Sequence, residues 1–385
     1  MGAMKLKEPA FSLGVEEEYL LVDLVTRDLV SDPPASFLEA CEKRSGQQVS
    51  PELMRSQIEI GTNVCVNVKA AKQEVKQLRR VIAEVADEHG YAPLAVSTHP
   101  FARWLSQKQT AKARYVDLTQ EMQATARRLL ISGMHVHVGI ENKELRIDLM
   151  NQLSYFLPHL LALSCSSPFW EGENTGLNSY RLTVFDALPR TGLPAQFASY
   201  GEYERHVSIL VDAGIIEDAS NIWWDLRPSA RFPTLETRIM DVCTNVNHCI
   251  SLVALNVCLL RMLYRLRRDN QRWRMYSSML ISENRWRAMR YSYHEGMIDF
   301  AKGEVVPFNN LLEELMDFIR EDAEALDCVE EIRGLKDILA NGNSAQRQVE
   351  IFESQIAAGK SDADALTDVV DWLIQETVRD CDSVT

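Results

Sequence analysis

The stretch Leu13-Gly14-Val15-Glu16-Glu17-Glu18-Tyr19-Leu20-Leu21 decides the fold class, because polar and apolar residues alternate along it. Side chains of a β-strand point alternately to its two faces. One face of this strand therefore carries apolar residues, and the other carries Glu16 and Glu18 about 7 Å apart. The pattern predicts a strand over residues 11–23 that has one buried face and one acidic face.

Three further segments have the same two-faced pattern. Their polar faces carry Arg55, Gln57 and Glu59, then His135 and His137, then Glu236 and Arg238. An antiparallel sheet with one solvated side would explain part of this pattern. Glutamate is depleted in strands, however, and a run of three adds charge repulsion. We therefore favour a face that gathers carboxylates and imidazole around hard cations such as Mg²⁺, with Glu52 as a further candidate ligand.

The order of elements predicts an α+β protein. Strands are expected at 11–23, 53–60, 92–97, 133–140, 224–226 and 234–241, and helices at 68–89, 117–129 and 143–164. A loop-rich stretch covers 166–194, and from Asn245 onward the pattern is almost wholly helical. No Pro/Gly/Ser-rich linker or internal repeat divides the chain. We expect one catalytic domain over 1–385, with a sheet-bearing core at about 11–245 and a mainly helical part at 246–385.

The net charge of −14 argues against nucleic acid or an anionic membrane as the main partner. Residues 301–385 hold 20 acidic against 7 basic residues, and residues 261–300 hold nine arginines against four acids. We interpret the acidic region as a solvated helical face, and the arginines as a helix face that snorkels or pairs with it and does not bind nucleic acid. The apolar run Cys249–Leu260 is too short to span a membrane and predicts a buried helix. The eight cysteines lack framework spacing, which indicates reduced thiols and a cytoplasmic protein.

Other chemistries fit the sequence less well. No phosphate-binding G-x-x-x-x-G-K-[ST] loop or dinucleotide glycine fingerprint occurs. The His135-x-His137 pair could bind zinc in a hydrolase, but such enzymes draw further ligands from later strands, and the remaining candidates lie in helices or loops: His159, His206, His248 and His294. A non-catalytic relative would be expected to have lost charged site residues, whereas this chain keeps them.

Seven motifs occur in an order that resembles one known family. They are GVEEEY at 14–19, PELMRSQIEIGT at 51–62, STHPFA at 97–102, GMHVHVG at 133–139, NTGLNSYR at 174–181, DLRPSARFPTLETRIMD at 225–241 and ENRWRAMRY at 283–291. Together they resemble the type 2 glutamate–cysteine ligase family, also called carboxylate–amine ligases. The resemblance runs from about residue 11 to 300 and extends into the helical tail.

The resemblance implies a glutamine synthetase-like fold, in which a curved, mainly antiparallel sheet has a polar active-site face and helices cover the other face. It implies an ATP-dependent ligase that phosphorylates a carboxylate, by default the γ-carboxyl of glutamate, and passes it to cysteine or another amine. It also implies Mg²⁺, with Mn²⁺ as a substitute, small-molecule partners and a possible homodimer.

Carried over residue by residue, the resemblance gives the following expected roles. The metal ligands are Glu16, Glu18, Glu52, Glu59, His135 and Glu236; the catalytic residues are Glu59 and Arg238; and the substrate- or nucleotide-binding residues are Arg181, Arg231, Arg238 and Arg287. The role of His137 stays open. Phosphoryl transfer requires positioning and charge neutralisation more than covalent help from the protein, which suits this set of residues.

Overall fold

The computed structural model describes residues 7–381. Its strands are β1 (Leu13–Asp23), β2 (Val49–Pro51), β3 (Gln57–Gly61), β4 (Tyr91–Leu94), β5 (Met134–Gly139), β6 (Phe169–Trp170), β7 (Glu173–Asn174), β8 (Leu226–Pro228), β9 (Thr234–Thr237), β10 (Met297–Asp299) and β11 (Glu304–Val306).

Its α-helices are α1 (Ala35–Arg44), α2 (Val68–Asp87), α3 (Ala113–Met122), α4 (Ala124–Arg127), α5 (Lys143–Leu153), α6 (Leu157–Ser164), α7 (Arg181–Phe185), α8 (Tyr200–Asp212), α9 (Val246–Arg268), α10 (Ser278–Tyr291), α11 (Phe308–Phe318), α12 (Arg320–Ala325), α13 (Val329–Arg333), α14 (Leu335–Asn341), α15 (Ser344–Ala357) and α16 (Asp362–Val378). Short 3₁₀ turns lie at Trp104–Ser106, Ser154–Phe156 and Ala219–Asn221.

One large sheet organises the molecule. Its strands follow the order β2-β3-β1-β5-β9-β8, β4 also pairs with β1, and every ladder in it is antiparallel. Strand β1 is the central member, since it pairs with β3, β4 and β5 along its eleven residues. The predicted α+β class with a mainly antiparallel sheet is confirmed.

The apolar face of the sheet packs against helices, chiefly α2, α5 and α9. Val15, Tyr19 and Leu21 of β1 are at most 1% exposed and belong to the main hydrophobic core. Helix α9 is long and apolar enough to cross a membrane, but 83% of its most apolar window is buried inside the protein. It is therefore a core helix, as predicted from its sequence, and all eight cysteine thiols are also buried.

The middle glutamate of the Glu16-Glu17-Glu18 run lies on this apolar face. Glu17 and Arg79 of α2 are both fully buried, and the guanidinium donates to both carboxylate oxygens, from Nε at 3.0 Å and from Nη2 at 2.6 Å. Arg79 also donates to the carbonyls of Cys243, Thr244 and Thr377. A buried charge must be paired and hydrogen-bonded, and this network meets that requirement.

Several predicted boundaries were wrong for local reasons. The single helix expected at 143–164 is two helices, α5 and α6, joined by a 3₁₀ turn, and Pro158 occupies the first turn of α6. Proline has no backbone N–H and favours the start of a helix over its interior. The helical C-terminal half also contains the β10–β11 hairpin.

Two arginines of the arginine-rich stretch pair with the acidic region, which confirms the predicted pairing for that part of the stretch. Arg261 and Arg265 on α9 both bind the fully buried Asp322 of α12, at 2.7 and 2.8 Å. These ion pairs join the core helix to the helices that follow it. The arginine cluster is thus accounted for by contacts within the chain.

Candidate active site

Polar side chains from four neighbouring strands form a continuous band on the other face of the sheet. The ladders place Glu18 opposite Glu59, Glu16 opposite His135, and His137 opposite Glu236. Residues directly opposite in an antiparallel pair have Cβ atoms about 5 Å apart. The alternation seen in the separate strands therefore brings distant parts of the sequence together.

Three glutamates form what we call the first carboxylate group: Glu18, Glu52 and Glu59. One oxygen of each lies within 4.8 Å of the others. Burial, with the charge of Glu52, raises the pKa of Glu18 to about 8. Burial and the neighbouring glutamates likewise raise the pKa of Glu59. Three carboxylates this close cannot all ionise readily unless a cation compensates their charge.

Glu16, His137 and Glu236 form the second group, again with ligand atoms within 4.8 Å of one another. The Nε2 atom of His137 lies 3.4 Å from Glu16 and 3.9 Å from Glu236. That nitrogen is buried and has no hydrogen-bond partner in the described part of the chain. The other ring nitrogen, Nδ1, is 2.9 Å from the hydroxyl of Thr234.

These features fit a divalent cation at each group. Carboxylate oxygens are the ligands that Mg²⁺ prefers. A histidine that binds metal through one nitrogen is commonly oriented by a hydrogen bond at the other, which is the arrangement of His137. The expected ligand His135 lies beside this group, with Nδ1 3.1 Å from Glu16. Burial, with the charge of Arg238, lowers the pKa of His135 to about 4, so its imidazole is neutral near pH 7.

Two arginines hold Glu236. Arg227 on β8 binds both carboxylate oxygens, at 2.9 and 3.0 Å, and Arg238 forms an ion pair with the same carboxylate. Although burial opposes ionisation, these two arginines lower the pKa of Glu236. The Nε atom of Arg238 is buried without a hydrogen-bond partner in the described chain. Arg238 thus has a donor left for a ligand, whereas Arg227 was not anticipated from the sequence.

Arg181 lies at the start of α7, buried beneath the same face. Its guanidinium donates to the carbonyls of Arg238 and Ile239, and it lies 4.0 Å from the buried carboxylate of Asp241. A Cβ atom added at Gly133 would stand 2.4 Å from Arg181 Nη2, so the absence of a side chain there makes room for the guanidinium. The structure therefore places Arg181 in the candidate site.

The other two predicted arginines lie apart from the acidic groups. Arg231 is exposed in the β8–β9 turn, next to Phe232, whose ring lies edge-on to the His137 ring with 6.0 Å between the ring centroids. Arg287 donates instead to the carbonyls of Glu295 and Gly296. Arg285 of the same motif at 283–291 is buried. It supports the site indirectly, through ion pairs with Asp186 and Asp225.

A cavity of about 390 Å³ opens beside the first carboxylate group. Its sheet side is lined by Glu18, Glu52, His135, Arg181 and Arg238. Its far side is formed by α3, α7 and the segment 214–223. The volume is in the range of small-molecule sites. The charged groups thus face a cavity large enough for a substrate.

Two solved ligases share this fold. The glutamate–cysteine ligase of Francisella tularensis in complex with AMP matches 97% of this chain and 90% of its own, with a TM-score of 0.67 at 14% identity. The ligase PafA, solved in complex with the ubiquitin-like protein Pup, matches 96% of this chain and 73% of its own, with a TM-score of 0.52 at 10% identity. These likenesses define the class: an α+β fold shared with ligases.

The family follows from the sequence comparison. The family model for glutamate–cysteine ligase family 2 matches residues 12–368, and the chain belongs to this family. A protein of Rhodospirillum rubrum named "Putative glutamate--cysteine ligase 2" is 55% identical over 377 residues, which is 97% of each chain. A protein of the same name from Paracoccus denitrificans is 54% identical over 97% of this chain and 99% of its own. The predicted family is confirmed.

Proposed function

We propose that the protein is an ATP-dependent ligase that joins a carboxylate, by default the γ-carboxyl of glutamate, to cysteine or another amine. The observation that carries this proposal is the pair of adjacent carboxylate groups, one of which contains a buried imidazole nitrogen without a partner. Family membership and the ligase folds support it. They favour it over the zinc hydrolase and the non-catalytic relative considered above.

The two groups would hold Mg²⁺, or Mn²⁺ in its place. Glu18, Glu52 and Glu59 would bind at one position, and Glu16, His137 and Glu236 at the other, with His135 at the edge of the second. Bound there, the cations would neutralise charge on the nucleotide phosphates. Arg227 fixes the orientation of Glu236, and the Thr234 hydroxyl fixes the ring of His137.

The arginines would orient the two substrates that react first. Arg181 is buried and faces the cavity. Among the described residues its guanidinium donates two long hydrogen bonds to carbonyls and lies 4.0 Å from Asp241, so it suits a substrate carboxylate. The Nε donor of Arg238 suits the transferred phosphoryl group. Arg231 would contact the nucleotide from the exposed turn. We assign Arg287 no contact with substrate, because its donors bind carbonyls at the end of α10.

The proposed reaction has two steps. A carboxylate oxygen of the first substrate attacks the γ-phosphorus of ATP, and the bond from that phosphorus to the β–γ bridging oxygen breaks to release ADP. The unprotonated amine then attacks the carbonyl carbon of the acyl phosphate, the carbon–oxygen bond to phosphate breaks, and the nitrogen loses a proton. The contribution of the protein is positioning and charge compensation.

Incubation with MgATP, glutamate and hydroxylamine tests this function. Hydroxylamine intercepts an activated carboxylate, so we expect γ-glutamyl hydroxamate and equimolar ADP. Glu59→Gln should abolish both products, whereas Glu39→Gln on the exposed side of α1 should retain them. Absence of hydroxamate and ADP with glutamate, and with a panel of other carboxylates tested together with amines, would contradict the proposal.

The proposed function includes a cytoplasmic location and a homodimeric assembly. Eight buried thiols support a cytoplasmic enzyme. The net charge of −14 disfavours nucleic acid and anionic membranes as partners. The predicted homodimer stays a prediction. Light scattering tests it by measuring the molar mass of the protein in solution.

A further inference from the structure

The far side of the cavity is apolar and aromatic. Leu118, Phe185, Leu188, Ile215, Ile216 and Trp223 line it. Ile216 and Trp223 are nearly buried, whereas Ile215 is 52% exposed at the opening. A surface of this kind binds the apolar part of a ligand by removing it from water. The charged sheet side and this apolar side therefore face each other across one cavity.

The mouth of the cavity is acidic. Asp117, Glu121 and Glu217 line it, and all three are exposed. The neighbouring Arg190 is engaged by protein groups: its Nε donates to the Asn221 carbonyl, and its Nη2 lies 3.8 Å from Glu121. The field at the mouth therefore attracts a cation and disfavours a polyanion such as a triphosphate.

In the proposed function, the arginines of the cavity bind the first substrate and the phosphoryl group before an acceptor binds. Among the described residues that line it, the arginines are Arg181 and Arg238. The proposed function assigns the first to the carboxylate of the activated substrate and the second to the phosphoryl group. No lining arginine is then left for a second carboxylate, such as that of an α-amino acid acceptor.

We propose that this cavity binds the amine acceptor and selects a primary amine that has a bulky apolar body and no carboxylate. The inference rests on the ligase function proposed above and specifies its second substrate. The protonated amine is drawn to the acidic mouth, and its apolar body packs against Ile216 and Trp223. Its nitrogen, once deprotonated, faces the first carboxylate group, where the acyl phosphate would be formed.

The nucleotide is assigned to the opposite end of the band. The exposed side chains beside His137 there are Arg231 and Phe232, a cation and an aromatic ring. Both suit a nucleotide, since arginine binds phosphate and aromatic rings stack with bases. The acidic mouth of the cavity disfavours the entry of a triphosphate.

The test compares acceptors in the full-length enzyme with MgATP and glutamate. We expect kcat/KM for 2-phenylethylamine to exceed that for cysteine roughly tenfold or more, because one good apolar contact discriminates by about that factor. Ile215→Lys places a cation at the mouth. It should lower the ratio of kcat/KM for 2-phenylethylamine to that for hydroxylamine roughly tenfold.

Ile209→Lys is the matched control, because Ile209 is 64% exposed on α8 and does not line the cavity. Its ratio should stay within about twofold of the wild type, as expected for a surface change. Hydroxamate formation together with a preference for cysteine would overturn the inference and leave the ligase function standing. An Ile215→Lys effect on the KM for ATP alone would place the nucleotide here and also overturn it. Failure to form hydroxamate, amide or ADP would defeat both proposals.

Discussion

The fit of Arg181 depends on a residue that has no side chain. Gly133 lies just before β5, and its backbone N–H donates to Glu18 at 2.8 Å while the Arg181 guanidinium covers its Cα. One glycine thus contacts both a proposed metal ligand and a proposed substrate-binding arginine. Its φ angle is not positive, so the constraint is the close approach and not the backbone conformation.

We predict that Gly133→Ala displaces Arg181 and raises the KM for the carboxylate substrate. A Cβ atom 2.4 Å from Nη2 must push the guanidinium aside, at a cost of about 1–3 kcal/mol in a packed site. Steady-state kinetics with hydroxylamine as acceptor measure this change. Gly61→Ala in β3 is the control, because a Cβ atom there meets nothing within 4 Å. Equal KM values in the two variants would contradict the role given to Gly133.

Replacing one carboxylate of the first group should change stability in opposite directions with and without cation. Without divalent cation, Glu59→Gln should raise the midpoint of thermal unfolding, because it removes one of three crowded carboxylates. With Mg²⁺ at ~100 times Kd, the wild type should gain about 2.7 kcal/mol and the variant clearly less. Calorimetry in EDTA and in Mg²⁺ measures both. A variant less stable than the wild type in EDTA would refute this account of the group.

At the scale of residues, the sequence predicted the acidic residues on the sheet face and Arg238 beside them, but not the second arginine that holds Glu236, Arg227. Alternation alone placed Glu16, Glu18 and Glu236 on polar faces, because a strand leaves few options for each side chain. Arg227 was missed because its role depends on the hairpin register, which pairs it with Glu236. If the turn that ends at Pro233 is taken as a hairpin loop, the register of the two strands places Arg227 opposite Glu236, so the pairing could have been predicted.

At the scale of elements, β1 is the strand on which the site depends. Its register is fixed by an ion pair on its core face. Glu16 and Glu18 face the site, while Glu17 faces the core and binds Arg79. A shift of one residue would exchange the two faces of a strand. It would also expose Glu17 and bury its two neighbours without partners. The buried ion pair therefore specifies which glutamates reach the site.

We predict that Arg79→Met destabilises the protein by about 3–5 kcal/mol, because it leaves Glu17 buried without its partner. Urea unfolding followed by circular dichroism measures the loss. The neighbouring Arg80→Met is the control, since Arg80 is partly exposed and its ion pair within residues 7–381 is the one with Glu84 at 3.7 Å. The double variant Glu17→Leu with Arg79→Met should recover part of the loss, since no unpaired charge then remains. An Arg79→Met variant as stable as the control would contradict the role of the pair.

Element boundaries were less predictable than element types. The expected strand at 53–60 begins only at Gln57, because the preceding residues form the turn that brings Glu52 to the site. The helix expected at 117–129 is α3 and α4, separated by Gln123 at a φ of 50°. Periodicity reports the burial of a side chain, whereas the end of an element depends on its tertiary contacts.

At the scale of the whole molecule, the acidic C-terminal helices have a structural role. Asp322 is fully buried between Arg261 and Arg265, so part of the charge that looked like a solvated surface is internal. The prediction that residues 1–385 act as one catalytic domain stays a prediction. It is supported by the ion pairs between α9 and α12 and by the contacts of α16 with α2 and β4.

The bond from Arg79 to the Thr377 carbonyl has a consequence for synthesis of the chain on the ribosome. It links residues 298 positions apart, and the Thr377 hydroxyl also accepts a hydrogen bond from the backbone of Ala95. The charge network beneath the first strand is therefore completed only after α16 has left the exit tunnel. Contacts so distant in sequence form slowly. Because this network holds Glu17 on the core face of β1, the last step in assembling the catalytic sheet should follow the translation of residue 377.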